Sequence, residues 1–273
     1  MVGAAPTHMY TPAVMQRNLG VGNICEAFFR AWYERNVERE TRVATLEHYG
    51  YNPDGLVVGR EKVEMLKQLR ESPDYVLLST TDATARTPVL GISVNSQNSL
   101  YTMHHARAPW LCHACSRGVQ QACYEKKIGN LWFNRYNIDN DYRGFVGGFG
   151  VDVALVTVVA SWFRSVFEKV KEEGLEPVAL SYIRHGRSPP PGVTSTPASE
   201  TGRLIELLMN QNRGRTARKY VLYWMPYKRV IDGSIPYSIA GGQGQYGRPR
   251  EVVCVDATRG SDEQSLIQTL RAI

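Results

Sequence analysis

The chain has 273 residues, of which 43% are hydrophobic and 21% are charged, a composition typical of a folded globular protein. No segment reaches the roughly 18 uncharged apolar residues that a membrane-spanning helix requires, so the sequence predicts no membrane anchor. The first residues lack the basic start and apolar run of a secretory signal. The five cysteines show no framework spacing, which indicates a reducing compartment. We therefore expect a cytoplasmic or nuclear protein that folds as a single globular unit over residues 1–273.

The formal net charge of +6 is unevenly distributed along the chain. Between Arg184 and Arg250 there are eleven Lys or Arg residues and three acidic residues, which places +8 in this region and −2 in the remainder. A local excess of positive charge can form a basic surface in space, and such surfaces attract polyanions. The charge distribution thus favours a nucleic acid as partner.

The first hundred residues predict helices followed by short strands. Residues 1–20 contain two prolines and are expected to form a loosely ordered arm. Apolar residues at helical spacing predict amphipathic helices at 23–42 and 63–69. Alternating apolar residues then predict a meander of strands at 75–80, 88–95 and 100–104. This order of elements is typical of an α+β unit.

A cluster of cysteine and histidine residues lies at 104–123. The chain has eleven such residues, and six of them fall in these twenty positions. Cys112 and Cys115 form a C-x-x-C pair, a spacing at which a tight turn directs two thiolates at one tetrahedral metal ion. With Cys123 as the third ligand and His105 as the fourth, the segment predicts a hairpin clipped by a structural Zn2+.

Other interpretations of this cluster stay open. His104 or His113 can replace His105 as the fourth ligand, since all three lie in the same segment. The cysteines can also be reduced thiols packed in the core, because free cysteine is among the most buried residue types. A redox-active C-x-x-C pair would require a helix that begins at the motif.

Aromatic residues are interleaved with arginines and glycines at 130–150. The simpler interpretation is an irregular aromatic loop packed on the core. The alternative is a surface on which the bases of single-stranded nucleic acid stack, with Trp132 and Tyr136 as the contacting rings.

The most hydrophobic segment of the chain begins at Val151. Leu155, Val159, Trp162 and Val166 recur at steps of three and four, which predicts one face of a long helix. Gly174 is the expected C-cap of this helix, and alternating apolar residues at 178–182 predict a following strand. We expect the C-terminal half of the fold to be arranged around this central hydrophobic helix.

The C-terminal half alternates helix and strand. A proline-rich segment at 186–200 predicts a mobile loop, and a helix at 200–212 leads into a basic run and a strand at 220–225. A glycine-rich segment at 239–250 precedes a strand at 251–256 and a final helix capped by Asp262. The predicted contacts to nucleic acid in this half are six cations: Arg213, Arg215, Arg218, Lys219, Arg248 and Arg250.

Catalytic motifs in the chain are incomplete. His105 precedes the C-x-x-C pair as in zinc deaminases, but the sequence places no glutamate beside it to act as proton shuttle. Asp139 begins a segment with some resemblance to a calcium loop, but Gly150 stands where the loop needs a bidentate glutamate. The sequence therefore favours a protein that is not an enzyme. If the protein is one, its site is expected at strand ends near His185 and Asp256.

These patterns predict a fold of the α/β or α+β class. The favoured function is nucleic-acid binding, as an RNA-binding protein or a viral-type genome-coating nucleoprotein, and a coating role would also involve self-association. An assembly or scaffold subunit is the third alternative, besides the enzyme.

Overall fold

The computed structural model describes residues 12–38, 44–48, 73–79, 87–98, 100, 129–135, 137–160, 163–172, 220–243 and 249–273. Both helices and strands are present, which confirms the mixed α/β or α+β class. The α-helices are α1 (Pro12–Tyr33), α2 (Arg143–Phe149), α3 (Phe163–Glu172), α4 (Tyr227–Ile231) and α5 (Glu263–Arg271). None of these described helices is long and apolar enough to cross a membrane.

The strands form two sheets. They are β1 (Ala44–His48), β2 (Tyr75–Ser79), β3 (Pro88–Gln97), β4 (Asn130–Asn134), β5 (Val153–Val159), β6 (Val221–Pro226), β7 (Tyr237–Gln243), β8 (Pro249–Asp256) and β9 (Ser261–Asp262). The larger sheet has the order β1-β2-β3-β5-β6-β9, and the smaller has the order β4-β8-β7. Among the described pairs, β3 and β5 are parallel and the others are antiparallel.

The larger sheet is the middle layer of three. Helices α1, α3 and α5 cover one face, where Phe28, Phe163 and Leu266 share a core with Val156 of β5. The smaller sheet and the helical segment at 137–149 cover the other face, in a second core. Since both faces are covered, the strands in the middle of the sheet are buried on both sides.

Strand β5 corrects the prediction of a single long helix from residue 151. All seven of its residues are buried, with Ala154, Val156 and Val158 toward the helices and Val153 and Leu155 toward the smaller sheet. A continuous apolar run of this length fits a doubly buried strand as well as a helix, and its β-branched residues favour the strand. The helix begins after this strand as α3, while Trp162 and the predicted strand at 178–182 lie outside the described residues.

Several other elements follow the sequence. The predicted strands at 75–80, 88–95, 220–225 and 251–256 are confirmed as β2, β3, β6 and β8. Asp262 caps α5 as predicted, accepting a hydrogen bond of 3.0 Å from the amide of Ser265. The inward packing of α5 is also confirmed, because Leu266, Ile267 and Leu270 are buried.

Two boundaries differ from the prediction. Helix α1 begins at Pro12, so residues 12–20, which the sequence assigns to the arm, are helical. Proline is well tolerated in the first turn of a helix, because the amide that it lacks has no partner there. The described residues of the segment 130–150 are regular, with β4, a π-helical turn at Asn137–Tyr142 and α2 in succession.

Candidate nucleic-acid interface

Most of the predicted site residues lie outside the described part of the chain. Trp132 is in β4 and Arg250 is in β8, where its backbone pairs with Gly242 of β7. Tyr136 and the other predicted cations, Arg213, Arg215, Arg218, Lys219 and Arg248, are not described. The same holds for the predicted metal ligands Cys112, Cys115, Cys123 and His105. What the structure provides is the location at which these segments join the fold.

Side chains of β3 hold β4 against the larger sheet. The side-chain amide of Gln97 donates to the carbonyl oxygen of Asn130 at 3.1 Å and accepts from the amide of Trp132 at 2.7 Å. The side-chain amide of Asn95 donates to the carbonyl oxygen of Trp132 at 2.6 Å. Strand β4 pairs with β8 through its other edge, so these side chains act in place of a neighbouring strand.

The described residues that flank the cysteine and histidine cluster lie at one place in the fold. They are Leu100, three residues beyond the end of β3, and Gly129, directly before β4. The hydrogen bonds of Gln97 keep the end of β3 beside the start of β4. The residues between Leu100 and Gly129 therefore begin and end at the carboxyl end of β3.

The basic run joins the fold at this same end of the sheet. Lys219 directly precedes Tyr220, and Val221 of β6 pairs with Val159, which pairs in turn with Gln97. Strands β3 and β5 are parallel, so both have their carboxyl ends here.

An exposed aromatic side chain lies at the same end. Tyr237 is 42% exposed and pairs with Val255 of β8, one residue before Asp256, the partner of Asn130. Tyr237 was not among the predicted contacts to nucleic acid. The sequence feature that could have indicated Tyr237 is its place next to a proline and a turn, at the start of a strand in the most basic region of the chain. An exposed ring of this kind can stack on a base of a single strand.

Arg250 lies at the opposite end of the smaller sheet. Asp256 lies six positions farther along β8, which corresponds to about 20 Å at the usual rise of a strand. The backbone of Arg250 and the attachment point of the basic run are therefore separated by about the length of a strand.

The described scaffold carries none of the excess positive charge. It contains 13 Lys and Arg residues against 15 Asp and Glu residues, a net charge of −2. The remaining residues contain 19 against 11, a net charge of +8. The basic character thus belongs to the segments attached to the scaffold, among them the run that ends at Lys219.

Three of the aromatic side chains at 133–145 pack in the core. Phe133, Tyr142 and Phe145 are buried, so these rings cannot stack on bases. Arg135 forms ion pairs with Asp139, at 2.8 Å, and with Glu251. Hydrogen bonds from Arg135 to Asp139 and Glu251 raise its pKa further above the usual value. For these three rings the structure favours packing on the core over a surface on which bases stack. Trp132 is half-buried.

Asp256 has a structural role. Its carboxylate accepts hydrogen bonds from the amide and the hydroxyl of Thr258, both at 2.8 Å, and caps the short 3-10 helix at Ala257–Arg259. Aspartate is common at the N-cap of a helix, where its carboxylate accepts hydrogen bonds from the first turn. His185, its proposed partner in an enzyme site, lies outside the described residues.

No family model matches this chain, and the comparisons found no significant similarity to a curated protein or to a solved structure.

Proposed function

We propose that the protein binds nucleic acid, with RNA favoured, at the carboxyl end of β3 and β5. The observation that carries the proposal is the place where the basic run Arg213–Lys219 joins the fold, at the carboxyl end of the parallel strands and at the same end of the two sheets as the exposed Tyr237. Arginine-rich segments are a recurrent means of RNA recognition, and aromatic rings next to them suit unpaired bases.

The electrostatics support the same proposal. A scaffold of slightly negative net charge gives polyanions little reason to bind to its general surface. The attached basic segments would then be the main source of affinity. If all six predicted cations contact phosphates of a single strand, the slope of log affinity against log salt is about −4, at about 0.7 per contact. A genome-coating nucleoprotein is the form of this function that the sequence favours.

Titration of labelled single-stranded RNA tests the proposal. The variant Arg213→Ala/Arg215→Ala/Arg218→Ala should bind more weakly and show a shallower salt slope, by roughly 2 for three lost contacts. The control variant Arg143→Ala/Lys228→Ala/Arg229→Ala removes the same charge from exposed positions of the scaffold, and Lys228 lies beside Asp152, at the start of β5 and so at the other end of the sheet. Equal losses in both variants would mean that net charge alone drives binding, and a flat salt response of the wild type would contradict the proposal.

The role of Tyr237 has its own test. Tyr237→Ala should weaken RNA binding by about 1–3 kcal/mol, the usual contribution of one base–aromatic stack. Tyr237→Phe keeps the ring and should bind nearly as well as the wild type. If the two variants bind alike, the ring does not stack on a base.

We also propose that Cys112, Cys115, Cys123 and His105 hold a structural Zn2+ between Leu100 and Gly129. Gln97 of β3 is hydrogen-bonded to the start of β4, so a metal ion would cross-link a segment whose two flanking strands are already joined. The purified protein should contain one zinc per chain, and Cys115→Ser should lower the zinc content and the melting temperature. Gln120→Ala in the same segment is a control without a proposed ligand, and zinc content near zero in the wild type would contradict the site.

A further inference from the structure

A half-buried carboxylate contact fixes Tyr220, the residue that directly follows the basic run. Glu263 Oε1 accepts a hydrogen bond from Trp32 Nε1 and another from the Tyr220 hydroxyl, both at 2.6 Å. Trp32 belongs to α1 and Glu263 is the first residue of α5. One oxygen atom therefore ties together two helices and the residue that precedes β6.

Ring packing restrains Tyr220 as well. Its ring meets that of Phe28 edge to face, with centroids 4.9 Å apart, and Phe28 packs in turn against Phe163 of α3. The following residue, Val221, is held in the larger sheet by its pairing with Val159. The backbone and the side chain of Tyr220 are thus both held by the scaffold.

The carboxylate is well placed for this role. Glu263 follows the N-cap Asp262 in the first turn of α5, where the helix dipole stabilises negative charge. Hydrogen bonds to an ionised acceptor are stronger than those between neutral groups. The contact therefore restrains the phenol ring more than a bond to a neutral acceptor would.

We infer that Tyr220 is a positioning residue for the proposed nucleic-acid interface, fixing the exit of the basic run through its hydrogen bond to Glu263. The inference rests on the proposed function. The fixed point is Tyr220. Lys219 is one peptide unit away from it, a distance of about 3.8 Å between Cα atoms, and Arg218 is two peptide units away. A cation close to a fixed point loses less conformational freedom on binding a phosphate than one on a free chain.

The variant Tyr220→Phe tests the inference, because it keeps the ring against Phe28 and removes the phenol hydroxyl. Its RNA affinity should fall on the order of fivefold to tenfold, as expected when at least one more residue is ordered on binding. The salt slope should stay unchanged, because the number of phosphate contacts is the same. The Arg213/Arg215/Arg218 triple alanine variant should differ in this respect, with a shallower slope.

Tyr227→Phe is the matched control. It also removes a tyrosine hydroxyl, which donates to the carbonyl oxygen of Ile138 at 3.0 Å in the other core. Its melting temperature should fall comparably, while its RNA affinity should stay within about twofold of the wild type, because a core hydrogen bond contributes to stability alone. A conservative variant, Glu263→Gln, keeps an acceptor oxygen and should retain most of the affinity that Glu263→Ala loses.

The outcomes separate this inference from the proposed function. The triple variant could bind RNA more weakly than the wild type while Tyr220→Phe binds as well as the wild type. That result would overturn the positioning role alone. Equal weakening in Tyr220→Phe and Tyr227→Phe would also overturn it, since general destabilisation would then explain both. Absence of salt-dependent binding in the wild type would overturn the proposed function together with the inference.

Discussion

Replacing Gln97 tests how the two sheets are joined. In Gln97→Ala, the amide of Trp132 and the carbonyl oxygen of Asn130 lose the side-chain partner that the wild type provides. Gln97 is only 9% exposed, so water does not readily replace its amide. Each buried group left without a partner costs about 1–3 kcal/mol, so the loss of both hydrogen bonds should lower the free energy of unfolding by about 2–6 kcal/mol.

Gln97→Glu provides a graded comparison. A glutamate can still accept from the amide of Trp132, but it places an oxygen against the carbonyl oxygen of Asn130 and buries a charge. It should therefore destabilise as well, and the effect should lessen at low pH, where the protonated carboxyl group can donate. Asn98→Ala, at an exposed position one residue along, should change the free energy of unfolding by less than about 0.5 kcal/mol.

Urea denaturation measures the free energies, and native-state hydrogen exchange of the Trp132 amide locates the effect. That amide should exchange faster in Gln97→Ala, because its hydrogen bond is lost. A free energy of unfolding within 0.5 kcal/mol of the wild type, with unchanged protection of the Trp132 amide, would refute the proposed joint between the sheets.

Two further predictions concern the cores. In Gly91→Ala, the new Cβ would lie 2.8 Å from Phe145 Cε1 and 2.9 Å from Pro73 Cγ, so overpacking should destabilise by about 1–3 kcal/mol in denaturant titrations; wild-type stability would contradict the close packing at β3. Burial, followed by the hydrogen bond to Glu263, raises the pKa of Tyr220. The folded state therefore favours the protonated phenol, so this contribution to stability is present below about pH 10 and is lost as the pH rises beyond it. The decline of melting temperature above pH 10 should be shallower in Tyr220→Phe than in the wild type, and identical declines would contradict this contribution.

The sequence predicted elements well where one face of a strand or helix is polar. Helix α5 has a capping aspartate and a clear apolar face, and its position and packing are confirmed. Strand β5 has no polar face, because helices cover one side and the smaller sheet covers the other. Residues three or four apart are then apolar whatever the backbone conformation, so periodicity alone could not distinguish the strand from a helix.

The joint between the sheets had a weak signal in the sequence. Ser93, Asn95 and Gln97 alternate along β3 and place polar side chains toward the smaller sheet. Alternation of this kind usually indicates a solvent-facing side of a strand. Here the polar groups bond to the backbone of β4 and to the Tyr142 hydroxyl instead. Whether such polar side chains face solvent or a second sheet is shown only by the pairing of strands that are distant in sequence.

The arrangement of the basic segments bears on what the ligand must be. The run that ends at Lys219 joins the fold at the carboxyl end of β3 and β5, whereas the backbone of Arg250 lies about 20 Å along β8 from that end. At 3.4 Å per phosphate, a value for one strand of a duplex, this distance corresponds to about six phosphates. A shorter oligonucleotide would contact the run alone, and four cations would give a salt slope of about −3. A measured slope of about −4 would therefore require a strand long enough to cross the smaller sheet. Such a result would support the proposed coating role, in which the ligand is bound along its length, over a role in which the ligand is held at its terminus, and a slope of about −3 with long strands would contradict it.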